Sequence, residues 1–171
     1  MIRPLRPQIF VSYHHKNDQY YYDDISNRFS TNYAMIRDQS LNREIKSDDT
    51  DYVMRKIRED YITGTSCTFV LIGSETHKRM YVDWEIKATL DKEHGLLGII
   101  LPTAETYNNT WTTPARFHDN YSGNMNGNFA ELIQWDELVL YPTMLAQTIQ
   151  KAKEKSSILI DNSRPMKTYN G

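Results

Sequence analysis

One carboxylate in the segment MYVDWEIKATLDKEHG, residues 80–95, has the surroundings of a functional group. The segment is typical of one helix, in which side chains three and four positions apart are neighbours. No lysine or arginine occupies those positions around Glu85, whose neighbours are instead Tyr81, Val82, Ala88 and Thr89. An acid in this setting is either a site residue with a perturbed pKa or a structural acid bonded to a hydroxyl or a backbone amide.

The other side of the same helix has an ordinary pattern of charges. Lys87 has Asp83 and Asp91 at helical spacing. We therefore expect Asp83 to lie on a solvated, charge-paired face. Glu85 is the residue whose position needs an explanation.

Short apolar runs that alternate with helical segments must position this carboxylate. We predict helices over residues 18–30, 52–63, 80–95 and 142–155, with Asp51 capping the second one, Gly64 following it and Gly95 closing the third. Residues 102–130 are rich in Asn, Thr and Gly and predict a long loop. The predicted strands cover residues 8–13, 33–38, 66–73 and 96–101, with an edge strand at 131–135.

This alternation predicts an α/β fold with three layers, in which helices cover both faces of a mostly parallel, five-stranded sheet. We expect one domain over residues 1–155, followed by a tail of uncertain structure over 156–171. In such sheets, ligands bind at the carboxyl ends of the strands, where the strand order reverses. Three segments lie at such ends: 13–18, the residues after Asp38, and 73–76.

Composition excludes several classes of function. The 171 residues carry a net charge of −2, which gives no basic field for nucleic acid. The single cysteine, Cys67, excludes an internal disulfide and fits a reducing cytoplasm. Neither a membrane span nor a signal peptide is expected, since the cleanest apolar run, at residues 96–101, is far too short.

Familiar cofactor motifs are missing from the sequence. It contains neither a GxGxxG fingerprint nor a phosphate-binding GxxxxGK loop. A metal cluster of His14, His15 and Asp18 is disfavoured, because two adjacent histidines rarely converge on one ion, and we predict no metal site. Cys67 lies in a predicted buried strand and is interpreted as a core residue.

Two segments resemble the TIR domain family. IFVSYHHKND, residues 9–18, resembles its first strand and following loop, and FVLIGSETHKRMYVDWEIKATL, residues 69–90, resembles its third strand and following helix. Tyr81, Val82 and Glu85 match the spacing of the aromatic residue, small residue and catalytic glutamate in many TIR helices, although Tyr replaces Trp and Val replaces Cys. The sequence of residues 70–86 is most similar to that of the TIR-like proteins of bacterial Thoeris antiphage systems.

The resemblance implies a TIR-like, flavodoxin-like fold and an NAD-consuming enzyme, an NAD nucleosidase or ADP-ribosyl cyclase, with Glu85 as its catalytic residue. NAD would be the substrate, and no separate cofactor is expected. Nicotinamide leaves NAD as a neutral amide and needs no proton, so one carboxylate can suffice where ordinary glycosidases use two. The residues that the resemblance assigns to substrate binding are Tyr13, His14, Asp38, Ser40, Ser74 and Tyr81.

The same resemblance implies an ADP-ribose-derived signal, cyclic or conjugated, that diffuses to a separate effector protein. It also implies self-assembly on activation. Two alternatives remain open: a non-catalytic TIR-like module in which Glu85 is structural, and a receiver-like domain. The second is disfavoured, because FVSYHHK, residues 10–16, lacks the acids that a receiver needs after its first strand.

Overall fold

A central parallel sheet organises the molecule, of which the computed structural model describes residues 5–38, 49–122 and 127–171. The strands in chain order are β1 Gln8–Ser12, β2 Ala34–Ile36, β3 Thr65–Ile72, β4 Gly95–Ile100, β5 Thr106–Tyr107, β6 Thr110–Trp111 and β7 Glu131–Gln134. Five of them form one sheet in the order β2-β1-β3-β4-β7, and every pair in it is parallel. The predicted five-stranded α/β architecture is confirmed.

Helices cover both faces of this sheet. In chain order they are α1 His15–Arg28, α2 Thr50–Lys56, α3 Met80–Asp91, α4 Ala115–Tyr121, α5 Trp135–Leu140 and α6 Met144–Lys153. A π-helical turn, Ile57–Ile62, continues α2, and short 3-10 turns lie at Thr76–Lys78 and Ser157–Leu159. Side chains of α1, α5 and α6 pack with the sheet in one apolar cluster. Side chains of α2, α3 and α4 pack in two other apolar clusters.

The central strands are apolar because helices bury both of their faces. In β3, Cys67, Phe69 and Leu71 belong to the cluster that includes α1, while Val70 and Ile72 belong to the cluster that includes α4. Alternate residues of a strand point to opposite faces, so a continuous apolar run fills two cores at once. Cys67 is fully buried, and burial raises the pKa of its thiol to about 12, as expected for a core residue.

The region predicted as a long loop contains regular structure. β5 and β6 form an antiparallel hairpin, and Asn108 and Asn109 at its turn have φ values of 49° and 61°. Asparagine tolerates this left-handed conformation, which a two-residue hairpin turn requires. α4 follows Pro114. The prediction of a long loop with little regular structure over 102–130 was therefore wrong.

The predicted helix boundaries also need correction. Asp49, not Asp51, caps α2: its side chain accepts a hydrogen bond from the Tyr52 N–H at 3.0 Å. α3 ends at Asp91, and the left-handed residue that follows it is Glu93, with φ 57°. Gly95, predicted to close this helix, instead begins β4.

The tail over residues 156–171 lies against α3 and α4. The Trp84 indole Nε1 donates to the Lys167 carbonyl at 2.9 Å, and Arg164 pairs with Asp119 at 2.7 Å. Met166 packs on the cluster that contains Phe10 and Trp84. The tail thus follows the outer surface of the helix that carries Glu85.

Within the described ranges, none of the helices combines the length and the apolar character that crossing a membrane would need.

Candidate functional site

The strand order reverses beside β1, and a cavity opens there. The chain leaves β1 for β2 on one side and then crosses to β3 on the other, which is the arrangement that creates a ligand crevice at the carboxyl ends of the strands. The cavity has a volume of about 240 Å³. Its lining residues come from the end of β1, the start of α1 and the first turns of α3: Tyr13, His14, His15, Lys16, Arg79, Tyr81, Val82 and Glu85.

Glu85 is a buried acid with weak compensation. It is 3% exposed, and its Oε1 accepts a hydrogen bond from the Ser12 hydroxyl at 3.0 Å. Burial, and next the nearby charge of Asp38, raise the pKa of Glu85 well above its usual value, while the Ser12 hydrogen bond acts in the opposite direction. An ionised carboxylate here would be stabilised by any cation that enters the cavity.

The structure brings most of the sequence-predicted site residues to this place. Tyr13, His14 and Tyr81 line the cavity with Glu85, and Asp38, which is 1% exposed, lies close enough for its charge to act on Glu85. Ser74 follows β3 but lies outside the cavity lining. Ser40 lies outside the described residues.

Tyr13 forms a fixed wall of the cavity. Its ring stacks on Tyr22 with centroids 5.0 Å apart, and its hydroxyl donates to Gln19 Oε1 at 2.8 Å and accepts from Arg37 Nη1 at 2.6 Å. Burial raises the pKa of this hydroxyl to about 12. Tyr13 therefore remains neutral and acts through its shape and its apolar ring.

Sequence reasoning missed Ser12 and the positive residues of the cavity. Ser12 is the one polar residue among the last four of β1, and it is fully buried. Period-two alternation from the core residue Val11 places it on the opposite face of the sheet, which could have indicated a contact with α3. Arg79 and Lys16 gave no comparable signal, since single basic residues in polar loops are common.

The cations at the cavity are available to a ligand. Neither Arg79 nor Lys16 forms a salt bridge within the part of the chain that the structure describes. Glu75, the nearby acid, accepts from Asn17 at 3.1 Å and pairs with Lys78 at 3.6 Å. Burial, and next the charge of Arg79, lower the pKa of His14, so this imidazole is neutral at physiological pH.

Asp18, one of the three side chains considered as metal ligands, is buried against the loop that follows β3. It is 2% exposed, and its carboxylate lies against Gly73, where an added Cβ would be 2.7 Å from Oδ2. Burial raises the pKa of Asp18 to about 6. Among residues 5–38, 49–122 and 127–171, no three His, Cys, Asp or Glu side chains are grouped as metal ligands.

A larger cavity, of about 400 Å³, lies elsewhere, between the β5–β6 hairpin, α4 and the start of α5. Trp111 and Tyr121 contribute to its walls. Among the described residues that line it, Glu137 is the one carboxylate, and it is exposed. Size and chemistry therefore point to different places, and the smaller cavity, which is lined by a buried acid and by two basic residues, is the candidate active site.

The parallel sheet in the order β2-β1-β3-β4-β7, with an acid of the helix after β3 at the carboxyl end of β1, defines a TIR-like α/β domain. The family model for the Thoeris protein ThsB, TIR-like domain, matches residues 10–106. The chain belongs to this family, and its role is in Thoeris antiphage defence. No curated protein matches it.

Proposed function

We propose that this protein is an NAD-cleaving enzyme that breaks the bond between nicotinamide and ribose, with Glu85 as the catalytic carboxylate. The observation that carries the proposal is the burial of Glu85 beside Asp38 in a cavity at the strand switch point. An uncompensated acid is costly to a fold and is accounted for when the ligand brings the missing positive charge.

The cavity brings together charges of both signs, and an NAD molecule also carries both. Glu85 and Asp38 provide negative charge, and the nicotinamide ring of NAD is a cation. Arg79 and Lys16 provide positive charge at the same cavity, and the pyrophosphate of NAD is an anion. This complementarity orients the substrate with its nicotinamide riboside towards Glu85.

The chemistry requires stabilisation of charge and no acid. The bond between C1′ and the pyridinium nitrogen breaks, its electron pair stays on nitrogen, and nicotinamide leaves neutral. The positive charge moves to the ribose, where the Glu85 carboxylate stabilises it more strongly than in the ground state. Ser12, 3.0 Å from Oε1, holds the carboxylate in place. Tyr13 and Tyr81 provide aromatic walls for the departing ring.

The product depends on which nucleophile then reaches C1′. Water gives ADP-ribose, an internal hydroxyl or ring nitrogen gives a cyclic isomer, and a second small molecule gives a conjugate. In antiphage defence, a cyclic or conjugated product is suited to activate a separate effector protein. We propose such a signal as the output of this enzyme, with NAD as substrate.

The test is NAD consumption, with products identified by mass spectrometry, in lysates of phage-challenged cells that express wild type or Glu85→Gln. We expect wild type to release nicotinamide and form a new ADP-ribose derivative. The substitution should lower the rate by roughly a hundredfold to a thousandfold, the usual cost of removing one group that stabilises transition-state charge.

Glu93→Gln is the matched control, because Glu93 is an exposed acid after the end of the same helix. It should leave turnover unchanged. Equal activity of wild type and Glu85→Gln, or intact NAD in all lysates with folded protein present, would overturn the proposal and leave a TIR-like assembly module.

A further inference from the structure

The first turn of α3 faces the cavity but has no cap of its own. Four of the eight lining residues, Arg79, Tyr81, Val82 and Glu85, belong to this turn or its immediate surroundings. The first N–H groups of a helix have no partner within it, and a side chain at the N-cap usually accepts from one of them. The N-cap residue here is Arg79, whose side chain makes no such hydrogen bond.

A residue far along the chain provides the missing acceptor. Asn170 Oδ1 accepts from the Met80 N–H, the first of α3, at 2.8 Å. The Gly171 N–H donates to the Lys78 carbonyl at 2.9 Å, which fixes the same place from the other side. The tail thus holds the backbone on both sides of Arg79.

The rest of the tail anchors Asn170 to α3. The Lys167 N–H donates to Asp83 Oδ2 at 2.8 Å, and the Lys167 carbonyl accepts from Trp84 at 2.9 Å. Further back, Asn162 Oδ1 accepts from Arg116 Nη1 at 2.9 Å, and its amide donates to Asp91 at 2.8 Å. These bonds run along the helix from its last turn to its first.

We propose that residues 167–171 position the cavity-facing turn of α3, and that Asn170 is a positioning residue for NAD cleavage through the Met80 cap. The kinetic part of this inference depends on the proposed function, whereas the cap itself does not. All of these tail residues lie outside the matched range 10–106. The contacts between the tail and α3 therefore do not follow from the family match.

Loss of the cap should affect substrate binding more than chemistry. Arg79 and Tyr81 lie in the capped turn, while Glu85 lies more than one turn deeper and is held separately by Ser12. A frayed first turn would displace the groups that hold NAD and leave the carboxylate in place. The expected signature is a raised KM with little change in kcat.

The experiment compares wild type, Asn170→Ala, Asn170→Asp and Arg164→Ala by amide exchange, thermal unfolding and steady-state NAD cleavage. Asn170→Ala should speed exchange at residues 80–82 roughly fivefold, the factor that corresponds to one typical cap, and raise KM by a similar factor. Asn170→Asp retains an acceptor at a helix N-terminus and should restore both. Arg164→Ala breaks only the tail's exposed pair with Asp119 and should change neither.

The outcomes separate this inference from the proposed function. Unchanged exchange at residues 80–82 in Asn170→Ala would overturn the cap, whatever the enzyme does with NAD. The positioning role would be overturned if Asn170→Ala exchanges faster but keeps an unchanged KM. It would also be overturned if Asn170→Ala loses kcat and thermal stability equally and Asn170→Asp does not restore them. Faster exchange in a protein that never cleaves NAD would confirm the cap and contradict the proposed function.

Discussion

Asp83 and Glu85 lie two residues apart on α3, and each is 3% exposed. Asp83 accepts from Arg116 at 2.8 and 3.3 Å and from the Lys167 N–H at 2.8 Å. Glu85 has the Ser12 hydroxyl and the repulsion of Asp38. Residues two apart on a helix do not face the same neighbours, so one helix serves two environments.

The difference separates a structural acid from the proposed catalytic acid. A buried charge is costly unless a partner and hydrogen bonds compensate it, and the fold provides both for Asp83. Among the described residues, Glu85 has only the Ser12 hydrogen bond to compensate its charge, and it lies on a cavity. The partner of Glu85 is therefore to be sought in a ligand, and the proposed partner is the nicotinamide cation.

Breaking the Asp83 pair should have the largest effect on stability. Asp83→Asn leaves the fully buried Arg116 guanidinium without its counter-ion, and such losses cost about 3 kcal/mol or more. Urea unfolding should show the midpoint falling accordingly. Asp119→Asn, which breaks the more exposed pair with Arg164, is the matched control and should cost about 1 kcal/mol or less. Equal small losses would contradict the assignment of Asp83 as the structural acid.

Removing the charge of Glu85 should stabilise the protein, which is the opposite of the effect of Asp83→Asn. Because its pKa is raised in the folded state, the unfolded chain ionises first as pH rises above about 4.5, and wild type loses stability. Glu85→Gln escapes this loss, so its advantage should widen with pH by up to about 1.4 kcal/mol per unit. Asp18 contributes a similar trend up to about pH 6 in both proteins and cancels in the difference. If the difference in stability between Glu85→Gln and wild type stayed constant between pH 4 and 8, the folded state would not raise the pKa of Glu85.

The smallest effect should come from Ser12→Ala. It removes the hydrogen bond that favours the ionised form of Glu85, so the pKa of this acid should rise further. The rise of kcat/KM with pH should then move up by roughly 0.5–1 unit, since such a bond contributes about 1 kcal/mol. Thr68→Val is a suitable control, because it loses a buried hydroxyl that bonds Thr89 instead. An unmoved profile would mean that Ser12 does not tune the carboxylate.

Local spacing singled out the proposed catalytic acid and misplaced the structural one. Glu85 stood out because its helical neighbours include no basic residue, and that information lies within nine residues of sequence. Asp83 was expected on a solvated face, because Lys87 is nearby in sequence. Its true partner, Arg116, is 33 residues away, on a helix that the composition of its region concealed.

The strands were predictable for a similar reason. β3 and β4 are buried on both faces, so their sequences are nearly continuous apolar runs that can be recognised directly. The β5–β6 hairpin is two residues long on each side and mostly exposed, so it leaves no such pattern. Asn170 gave no signal at all, because a cap supplied from 90 residues away has no local signature.

That distance has a consequence for synthesis on the ribosome. Strands β1 to β4 and α3 emerge well before residue 170, yet the Met80 N–H must wait for Asn170 to be translated. Domains generally fold as their chain emerges, and a contact across a long sequence separation can form only after its second partner has been synthesised. A nascent chain would therefore carry Glu85 beside an uncapped first turn of α3, and we expect it to bind the proposed substrate more weakly until translation has passed residue 170.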